Sequence, residues 1–452
     1  MLLEIPLDFM EGSLYRQISS HLEKMIHAGS ITPGSRLPGT RELAKMLGVS
    51  RSTAVEAYCL LEEKGLIFQK GRSGAYVSPA AVHFSAEAGK PADEIYFDQE
   101  HPTPDLIPFE PLAKIAREVL IEDEGRVMGG CPPEGMPELR LALLEHAVLR
   151  GIPACTEEVV VTSGGKDALS TVLRSLKKKG AGSVYAEMLT YSGIRDIARN
   201  EGMVLRHVPL LADGDISLLE KLGEKDILYL VPSFHNPTGR TISTDVRKEI
   251  LALRRKKGFH ILEDDSYGEL RYGEKSVPAM KALDEGEGVI YIGSFSQVLF
   301  PGMRFGYIVL PAQLKQCYIE TASLRQGQVS SLVQLVVWRF IKTGNLAEAI
   351  ERARSILSAR MDSLYSSLIR TFPGFPVFRP EGGVFLWFPT GKSDGRTAAD
   401  LASSQGVYVS DGRSFSLSGK RICSVRFSIA SASAEKMEDA CRRLAGAWKT
   451  FC

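Results

Sequence analysis

Six short runs of consecutive apolar residues recur between residues 159 and 311 of this chain and alternate with segments of helical periodicity. The runs are VVVTS, SVYAE, ILYLVPS, FHILEDD, VIYIGS and FGYIVLP, and one of the intervening helical segments is TDVRKEILALRRKK. Strands with consecutive apolar residues are buried on both faces, which is typical of a mainly parallel sheet covered by helices. The pattern therefore predicts an α/β fold whose ligand site lies at the ends of the strands.

The domain organisation follows from the length of 452 residues and from two changes of residue pattern along the chain. Residues 1–78 are predicted to form a small helical unit with a hairpin. Residues 79–94 (PAAVHFSAEAGKPADE) are rich in Ala and Pro and lack an apolar period, as a linker does. Residues 95–452 form the large α/β domain, and its smaller α+β lobe, over residues 340–452 approximately, begins with a long helical run.

Composition indicates the compartment and limits the partners. The formal net charge is +1, so any affinity for nucleic acid must come from a local patch. The seven cysteines are scattered without a Cys-x-x-Cys pair, which is typical of reduced thiols in a cytoplasm. The first residues lack the basic start of a signal peptide, and no apolar run reaches the roughly 18 residues of a membrane span. We expect a cytoplasmic protein without a membrane segment.

The first unit has the pattern of a winged helix-turn-helix. A helix predicted from SLYRQISSHLEKMIHAG, with Ser13 as its N-cap and Gly29 as its stop, precedes GTRELAKMLGVSRSTAVEAYCLLEEKGLI. The latter run predicts two helices joined by a turn at Gly48, with the second helix beginning at Ser50 or Arg51. LIFQKGRSGAYV then predicts two short strands around a Gly-Arg-Ser-Gly tip, which is a wing.

The polar residues of this unit are placed where DNA would meet them. A helix N-terminus favours phosphate oxygens, and its side chains come within reach of base edges. The alternative is that the charges are solvated on a small helical domain, since basic and acidic residues nearly balance over residues 1–78. The residues predicted to bind DNA are Arg36, Arg41, Ser50, Arg51, Ser52, Thr53, Lys70 and Arg72.

The segment PGSRLPGTRELAKMLGVSRSTAVEAYCLLEEKGLI, together with GRSGAYV, resembles the winged helix-turn-helix of GntR-type bacterial repressors. The resemblance extends over nearly the whole unit and departs mildly at Gly39, where that family usually has Ser. It implies that the unit binds a double-stranded DNA operator.

Three motifs at predicted strand ends indicate a ligand site in the second domain. VTSGGKDALS is a strand, a glycine turn and a helix start whose backbone N–H groups at residues 164–166 suit a phosphate. VPSFHNPTG fixes the amide of Asn236 at the edge of the sheet. ILEDDSYGELRY ends a strand with adjacent carboxylates, which leaves three alternatives: a metal site, a solvated strand end, or a carboxylate held against a ring nitrogen.

In this order along the chain, the motifs resemble those of the fold-type I aminotransferases, which use pyridoxal 5′-phosphate (PLP), over roughly residues 95–450. The resemblance implies no metal ion. It implies that Asp264 pairs with the pyridine nitrogen and that Tyr191 stacks on the ring. Asn236 and Tyr267 would hydrogen-bond the ring's 3-oxygen, and Arg426 in SVRFSIAS would clamp an effector carboxylate. The residues that would hold the phosphate are Gly164, Gly165, Lys166, Ser294, Ser296 and Arg304.

The motif GSFSQVLFPGMRFGY places Gln297 where the family has the lysine that forms the Schiff base with PLP. Imine formation requires an amine, and a carboxamide nitrogen is delocalised into its carbonyl, so an internal aldimine at residue 297 is excluded. We expect ordinary transamination to be absent as well, since the lysine also moves the proton at Cα. The alternatives are non-covalent PLP binding, drift to another anionic ligand, or one engineered residue, and we favour the first.

Two further positions depart from the aminotransferase pattern. Met128, in RVMGGCPPEGMPELR, lies where the family has a Tyr that reaches the partner's cofactor phosphate across a dimer, and Lys166 lies where Gln is usual. A GntR-like head on an aminotransferase-like body nevertheless resembles the MocR/GabR regulators. The resemblance implies a homodimeric transcription factor that senses PLP or an amino compound. The alternatives are an active aminotransferase with a DNA-binding head, and a regulator whose body is only a dimerisation scaffold.

Overall fold

The computed structural model describes residues 13–27, 31, 34–63, 66–69, 74–78, 93–274, 277–284, 288–324 and 329–448. The chain divides into two compact units, Met1–Glu94 and Ile95–Cys452, each with its own buried core. Most of the predicted linker lies outside the described residues, and so do Gly29, Lys70 and Arg72. Within the described ranges, no helix combines the length and the hydropathy that a membrane span requires.

Three helices and a two-stranded hairpin form the first unit. α1 and α2 both pack on α3, around a core that includes Ile18, Leu43 and Leu61. The turn after α2 contains Gly48, which has a φ of 66°. This left-handed conformation is strained for most residues but not for glycine, which has no Cβ. The predicted helix-turn-helix is confirmed. The elements are α1 (Leu14–His27), α2 (Thr40–Leu47), α3 (Arg51–Glu63), β1 (Ile67–Gln69) and β2 (Ala75–Val77).

The predicted wing is a hairpin. β1 and β2 pair antiparallel, with Ile67 opposite Val77 and Phe68 opposite Tyr76. Arg36 pairs with Tyr76 through an isolated bridge, which adds a segment preceding α2 to the hairpin. The tip between the two strands, residues 70–73, lies outside the described residues.

A seven-stranded sheet forms the centre of the second unit, which opens with the short strand β3 (Ile95–Tyr96). In this sheet β10 is antiparallel to both of its neighbours and the other pairs are parallel, which confirms the mainly parallel α/β fold. The strands are β4 (Val159–Thr162), β5 (Ser183–Glu187), β6 (Val204–Val208), β7 (Asp226–Leu230), β8 (His260–Asp264), β9 (Val289–Ser294) and β10 (Gly306–Val309), in the order β4-β10-β9-β8-β7-β5-β6.

Six of these strands correspond to the six apolar runs, and β6 does not. β6 is the edge strand of the sheet next to β5, and four of its five residues are at least partly exposed. An edge strand that solvent reaches needs no consecutive apolar residues, so the pattern that identifies the buried strands misses it.

Helices cover this sheet and connect its strands. α9 occupies the TDVRKEILALRRKK segment: the Ser243 hydroxyl accepts the Val246 N–H at 3.4 Å, and Gly258 ends the helix with a φ of 81°. The helices are α4 (Phe109–Glu122), α5 (Glu124–Met128), α6 (Pro137–Leu149), α7 (Gly165–Lys178), α8 (Gly193–Asn200), α9 (Thr244–Lys257), α10 (Met280–Leu283), α11 (Ala312–Ser323) and α12 (Ser331–Lys342).

The smaller lobe follows α12 and contains two further sheets. β11, β14 and β13 form an antiparallel sheet, and β12 pairs in parallel with β3. Ile95 N–H donates to the Gly406 carbonyl at 2.8 Å, so the lobe predicted from residue 340 onward also includes the start of the second unit. Its elements are α13 (Asn345–Thr371), β11 (Phe385–Pro389), α14 (Gly395–Ser403), β12 (Val407–Tyr408), β13 (Ser410–Asp411), β14 (Ser424–Ser428) and α15 (Ala434–Ala447).

A buried glutamate and a buried histidine meet at the end of β5. Glu187 Oε2 lies 3.2 Å from His235 Nε2, and Glu187 Oε1 accepts the Leu211 N–H. Burial raises the pKa of Glu187 to about 8 and lowers the pKa of His235 to about 3. Both groups are therefore neutral at pH 7, and a protonated Glu187 can donate to the histidine nitrogen.

We expect Glu187→Gln to reduce the dependence of the free energy of unfolding on pH. At pH 6.5 the folded chain holds the Glu187 proton, and it still holds it in about half of the molecules at pH 8, whereas the unfolded chain has lost it throughout this range. Stability therefore falls as pH rises from 6.5 to 8, by about 2 kcal/mol. The amide of the substituted side chain keeps a donor for His235 without titrating. Denaturant unfolding at pH 6.5 and 8 measures the difference, with the exposed Glu220→Gln as control. An unchanged pH slope in Glu187→Gln would contradict this assignment.

Candidate functional site

A cavity of about 240 Å³ lies at the carboxyl ends of the central strands. Its walls come from the ends of β7, β8 and β9, the start of α7 and the loop before α4. The predicted cofactor residues that line it are Gly165, Lys166, Tyr191, Asn236, Asp264, Tyr267, Ser294, Ser296, Gln297 and Arg304. Glu100, His101, Leu169, Val231, Ser266 and Pro301, which the sequence patterns did not indicate, complete the lining.

Asp264 ends β8 and is held by three hydrogen bonds. Tyr229 donates its hydroxyl to Oδ2 at 2.9 Å, and Ser266 donates its hydroxyl and its N–H to Oδ1 at 2.5 and 3.2 Å. Burial raises the pKa of Asp264, and the hydrogen bonds from Ser266 and Tyr229 oppose that shift. A desolvated carboxylate of this kind gains from a cationic partner, such as a protonated ring nitrogen.

The acidic residues beside Asp264 are buried, so the alternative of a solvated strand end is wrong. Glu263 is 0% exposed and accepts the backbone N–H groups of Met280 and Lys281. Asp265 is 3% exposed and accepts hydrogen bonds from Arg150 and from the Tyr291 hydroxyl, through Oδ2. The described part of the chain contains no group of three or more His, Cys, Asp or Glu side chains arranged to hold a metal ion.

The start of α7 and two cationic side chains give the cavity a part that suits an anion. Gly164 precedes α7 with a φ of 92°, and the first backbone N–H groups of a helix have no partner within it. Lys166 and Arg304 line the cavity, and neither side chain has a hydrogen bond or an ion pair within the described ranges. Ser294 and Ser296 lie beside them in the lining and hydrogen-bond to each other.

Three further polar side chains line the cavity: Asn236, Tyr267 and Tyr191. The Asn236 amide donates to the Tyr267 hydroxyl at 3.4 Å, and both residues are buried. Burial raises the pKa of Tyr191 to about 12, and the charges of Asp264 and Glu100 add to the shift, so its hydroxyl stays neutral. The Tyr191 ring packs against Gly193, where any Cβ would lie within 2.5 Å of ring atoms.

Gln297 follows β9 and is 7% exposed. Its Nε2 donates to the backbone carbonyl of Glu100 at 3.2 Å. Its Oε1 is buried and has no hydrogen-bond partner within the described residues. The side chain thus fastens the loop before α4 and retains one unsatisfied acceptor.

Arg426 does not line the cavity, and it already has a carboxylate partner. Its Nη1 donates to Glu100 Oε1 at 2.6 Å and to Asn236 Oδ1 at 2.8 Å. The rings of Phe385 and Phe415 flank its guanidinium carbon, with centroids at 4.3 and 4.5 Å. Glu100 therefore stands where the aminotransferase resemblance places the carboxylate of an effector.

In the first unit, the predicted DNA-binding residues within the described ranges are Arg36, Arg41, Ser50, Arg51, Ser52 and Thr53. Ser50 is the N-cap of α3, because its hydroxyl accepts the Thr53 N–H at 3.1 Å, and the helix begins at Arg51. The Ser50 hydroxyl also contacts those of Ser52 and Thr53 at 2.7 and 2.8 Å. Arg41 and Arg51 are exposed.

The polar lining or supporting residues that the sequence patterns missed include Glu100, His101, Tyr229 and Ser266. Tyr229 could have been found from the pairing of β7 with β8, since it lies opposite Leu262 and two positions before the level of Asp264. Ser266 follows Asp264 closely enough to return a hydrogen bond to it. No local pattern points to Glu100, because its contacts with Asn236, Gln297 and Arg426 join distant parts of the chain, and none points to His101.

Comparison with known proteins agrees with this architecture. The family described as Aminotransferase class I and II matches residues 96–444, and the family described as Bacterial regulatory proteins, gntR family, matches residues 14–77. The chain belongs to the aminotransferase class I and II family and carries a gntR-family DNA-binding domain. It is thus a transcriptional regulator of the MocR type, with an aminotransferase-like domain behind its DNA-binding head.

The similar proteins include both transcriptional regulators and aminotransferases. The uncharacterized HTH-type transcriptional regulator YdcR of Escherichia coli is 27% identical over 95% of this chain and 98% of its own length. The probable rhizopine catabolism regulatory protein MocR of Rhizobium meliloti is 29% identical over 77% of this chain and 75% of its own length. Among solved structures, one similar protein is LysN, an α-aminoadipate aminotransferase of Thermus thermophilus in complex with N-(5′-phosphopyridoxyl)-L-leucine. It is 29% identical, and it superposes with a TM-score of 0.72 over 80% of this MocR-type chain and 93% of the LysN chain.

Proposed function

We propose that this MocR-type regulator binds PLP or a closely related phosphorylated compound without forming a covalent bond, and that the bound ligand changes its affinity for DNA. The observation that carries the proposal is the cavity itself. Its lining includes the carboxylate of Asp264 and the cations Lys166 and Arg304, whereas Gln297 occupies the position of the family's reactive amine. We assign the protein to the cytoplasm because its partner is duplex DNA.

The residues present fit PLP. Two cations without partners in the described part of the chain, next to a helix N-terminus, suit a phosphate, and Asp264 suits a protonated ring nitrogen. Asn236 and Tyr267 would bind the 3-oxygen of the ring, and Tyr191 would stack on its face. When bound, PLP supplies an electron-withdrawing ring and an aldehyde. Asp264 would hold the proton at the ring nitrogen, and Lys166 and Arg304 would orient the phosphate.

A second candidate function is that of an active aminotransferase, which the likeness to LysN favours. Gln297 opposes it, because its amide nitrogen is not nucleophilic and cannot carry a proton to and from a substrate carbon. A third is a DNA-binding protein whose second unit only dimerises. The unsatisfied Gln297 Oε1 and the unpaired cations Lys166 and Arg304 oppose it, since a scaffold has no need of a polar cavity that the described residues leave unfilled.

We further infer that the protein is a homodimer. Large apolar side chains are exposed on α4, α5 and α6: Leu120 by 52%, Ile121 by 67%, Met128 by 81% and Leu149 by 86%. Apolar surface of this extent on neighbouring helices indicates a protein–protein interface. A dimer carries two DNA-binding heads, so a ligand that favours one arrangement of the two subunits would alter binding to paired half-sites.

Titration with PLP tests this function. A ligand that binds only the folded chain at 100 times its dissociation constant stabilises it by about 2.7 kcal/mol, and we expect a rise in Tm of several degrees. Unphosphorylated pyridoxal, which lacks the anion, is the matched control and should give little shift. Fluorescence anisotropy of a labelled duplex, with and without PLP, measures the change in DNA affinity, and sedimentation of the same sample gives its mass.

Two outcomes contradict the proposal. No stabilisation by PLP, pyridoxamine 5′-phosphate or inorganic phosphate would favour the scaffold alternative. Steady conversion of an amino acid to its keto acid by the purified chain would favour the enzyme.

A further inference from the structure

We propose that the cavity selects the amine form of the cofactor, pyridoxamine 5′-phosphate, over the aldehyde form and over phosphopyridoxyl adducts that carry an α-carboxylate. This inference rests on the proposed function and specifies the chemical class of the ligand. Two independent observations carry it: the orientation of the Gln297 amide, and the contact between Glu100 and Arg426.

The orientation of the Gln297 amide is fixed by its partner. The Glu100 backbone carbonyl, 3.2 Å from the side chain, can only accept a hydrogen bond, so the amide nitrogen must face it. Oε1 is then the free end of the amide. Among the buried side-chain atoms that lack a partner in the described part of the chain, it belongs to the one residue that lines the cavity.

An acceptor at residue 297 discriminates between the two forms of the cofactor. In the aminotransferase family the side chain at this position bonds to the carbon that bears the aldehyde of PLP, so this carbon is the part of the ligand that Gln297 would meet. An aldehyde oxygen is itself only an acceptor and leaves Gln297 Oε1 unsatisfied. An amine on the same carbon donates an N–H and relieves the cost of leaving this buried acceptor without a partner.

Glu100 favours the same choice. Its carboxylate lines the cavity and lies 2.6 Å from Arg426 Nη1, and the guanidinium is 2% exposed between two aromatic rings. A ligand carboxylate would have to displace Glu100 from this pair and meet its negative charge. A protonated amine is instead attracted by that charge. The chain's own glutamate thus disfavours ligands that carry an α-carboxylate.

Calorimetric titration of the full-length native chain tests the selection with four probes: pyridoxamine 5′-phosphate, PLP, 4-deoxypyridoxine 5′-phosphate and N-(5′-phosphopyridoxyl)-L-leucine. We expect the amine to bind about tenfold more tightly than the aldehyde or the deoxy compound, and the leucine adduct to bind most weakly. This comparison needs no variant and is therefore independent of any effect on folding.

Two variants test whether Gln297 and Glu100 cause the selection among these ligands. Gln297→Met, which has no acceptor oxygen, is expected to bind the amine and the deoxy compound about equally. Glu100→Ala is expected to bind the leucine adduct at least about tenfold more tightly than the native chain does, because Arg426 becomes free for its carboxylate. Glu220→Ala, an exposed glutamate outside the cavity, should leave all four affinities unchanged.

The outcomes separate this inference from the proposed function. Equal binding of the amine, the aldehyde and the leucine adduct by the native chain would overturn the inference and leave a phosphopyridoxyl sensor in place. Binding of none of the four probes would overturn both.

Discussion

Gln297→Lys is expected to retain PLP through gel filtration, at about one molecule per chain, whereas the native chain releases it. Reduction with borohydride should then fix the phosphopyridoxyl group on residue 297, where peptide mass spectrometry can find it. The native chain treated in the same way should carry no label at this position. Among the predictions made for the second unit, this one has the largest effect, since it converts reversible binding into a covalent bond.

The reason lies in the surroundings of residue 297. The position is 7% exposed, and burial lowers the pKa of a lysine amine, so a larger share of it is the nucleophilic free base. Asp264, Asn236, Tyr267 and Arg304 already line the same cavity, so the substitution adds the missing amine to a site that keeps these predicted cofactor residues.

Gln297→Met is the matched control, because it has a similar length and no amine. Retention of PLP by this variant would show that tight binding does not depend on a covalent bond. A Gln297→Lys chain that still binds PLP reversibly but is never labelled at residue 297 would mean that this residue does not meet the reactive carbon. The inference about the amine form would then be wrong as well.

Arg51→Ala is expected to weaken the binding of a mixed-sequence duplex by about tenfold or more at low salt. Arg51 is the first residue of α3 and is exposed, and it follows the Ser50 cap at the end of the helix where phosphates are favoured. If the contact is to a phosphate, the slope of log affinity against log salt concentration should fall by about one. Electrophoretic mobility shift or fluorescence anisotropy over a range of salt concentrations measures both quantities.

Arg442→Ala provides the control for charge. Arg442 is an exposed arginine on α15 in the second unit, so its loss changes the net charge equally without touching the DNA-binding domain. If the two variants bind DNA equally well, α3 is not the helix that contacts the duplex. In that case the charges of the first unit are solvated, which is the alternative that their near balance left open.

The residues of the cavity were predictable to the extent that they lie in local motifs. Asp264, Asn236 and the turn at Gly164 each follow an apolar run, and parallel strands bring their carboxyl ends to one edge of the sheet. A short stretch of sequence thus contains both the strand and the polar residue that it positions. The glycine turn and the start of α7 are specified in the same way.

The remaining features depend on pairing between distant segments. Tyr229 contacts Asp264 because β7 and β8 are neighbours in a particular register. The sequence of one strand alone does not specify that register. The contact between Glu100 and Arg426 joins a loop near the start of the second unit to a strand near its end. β6 was not predicted because it is an edge strand with mostly exposed side chains, so it lacks a run of apolar residues. β3 was not predicted because two residues are too few to show an alternation of apolar and polar side chains.

The pairing of β3 with β12 has a mechanical consequence. Ile95 is the first residue of the second unit, and its backbone, together with the stacked rings of Tyr96 and Tyr408, is tied to the smaller lobe. The start of the second unit is thus paired with the smaller lobe, and Ile95 lies five residues before Glu100, which contacts Arg426. A ligand that displaced Glu100 from Arg426 would therefore act on a segment that lies five residues from the backbone pairing of β3 with β12.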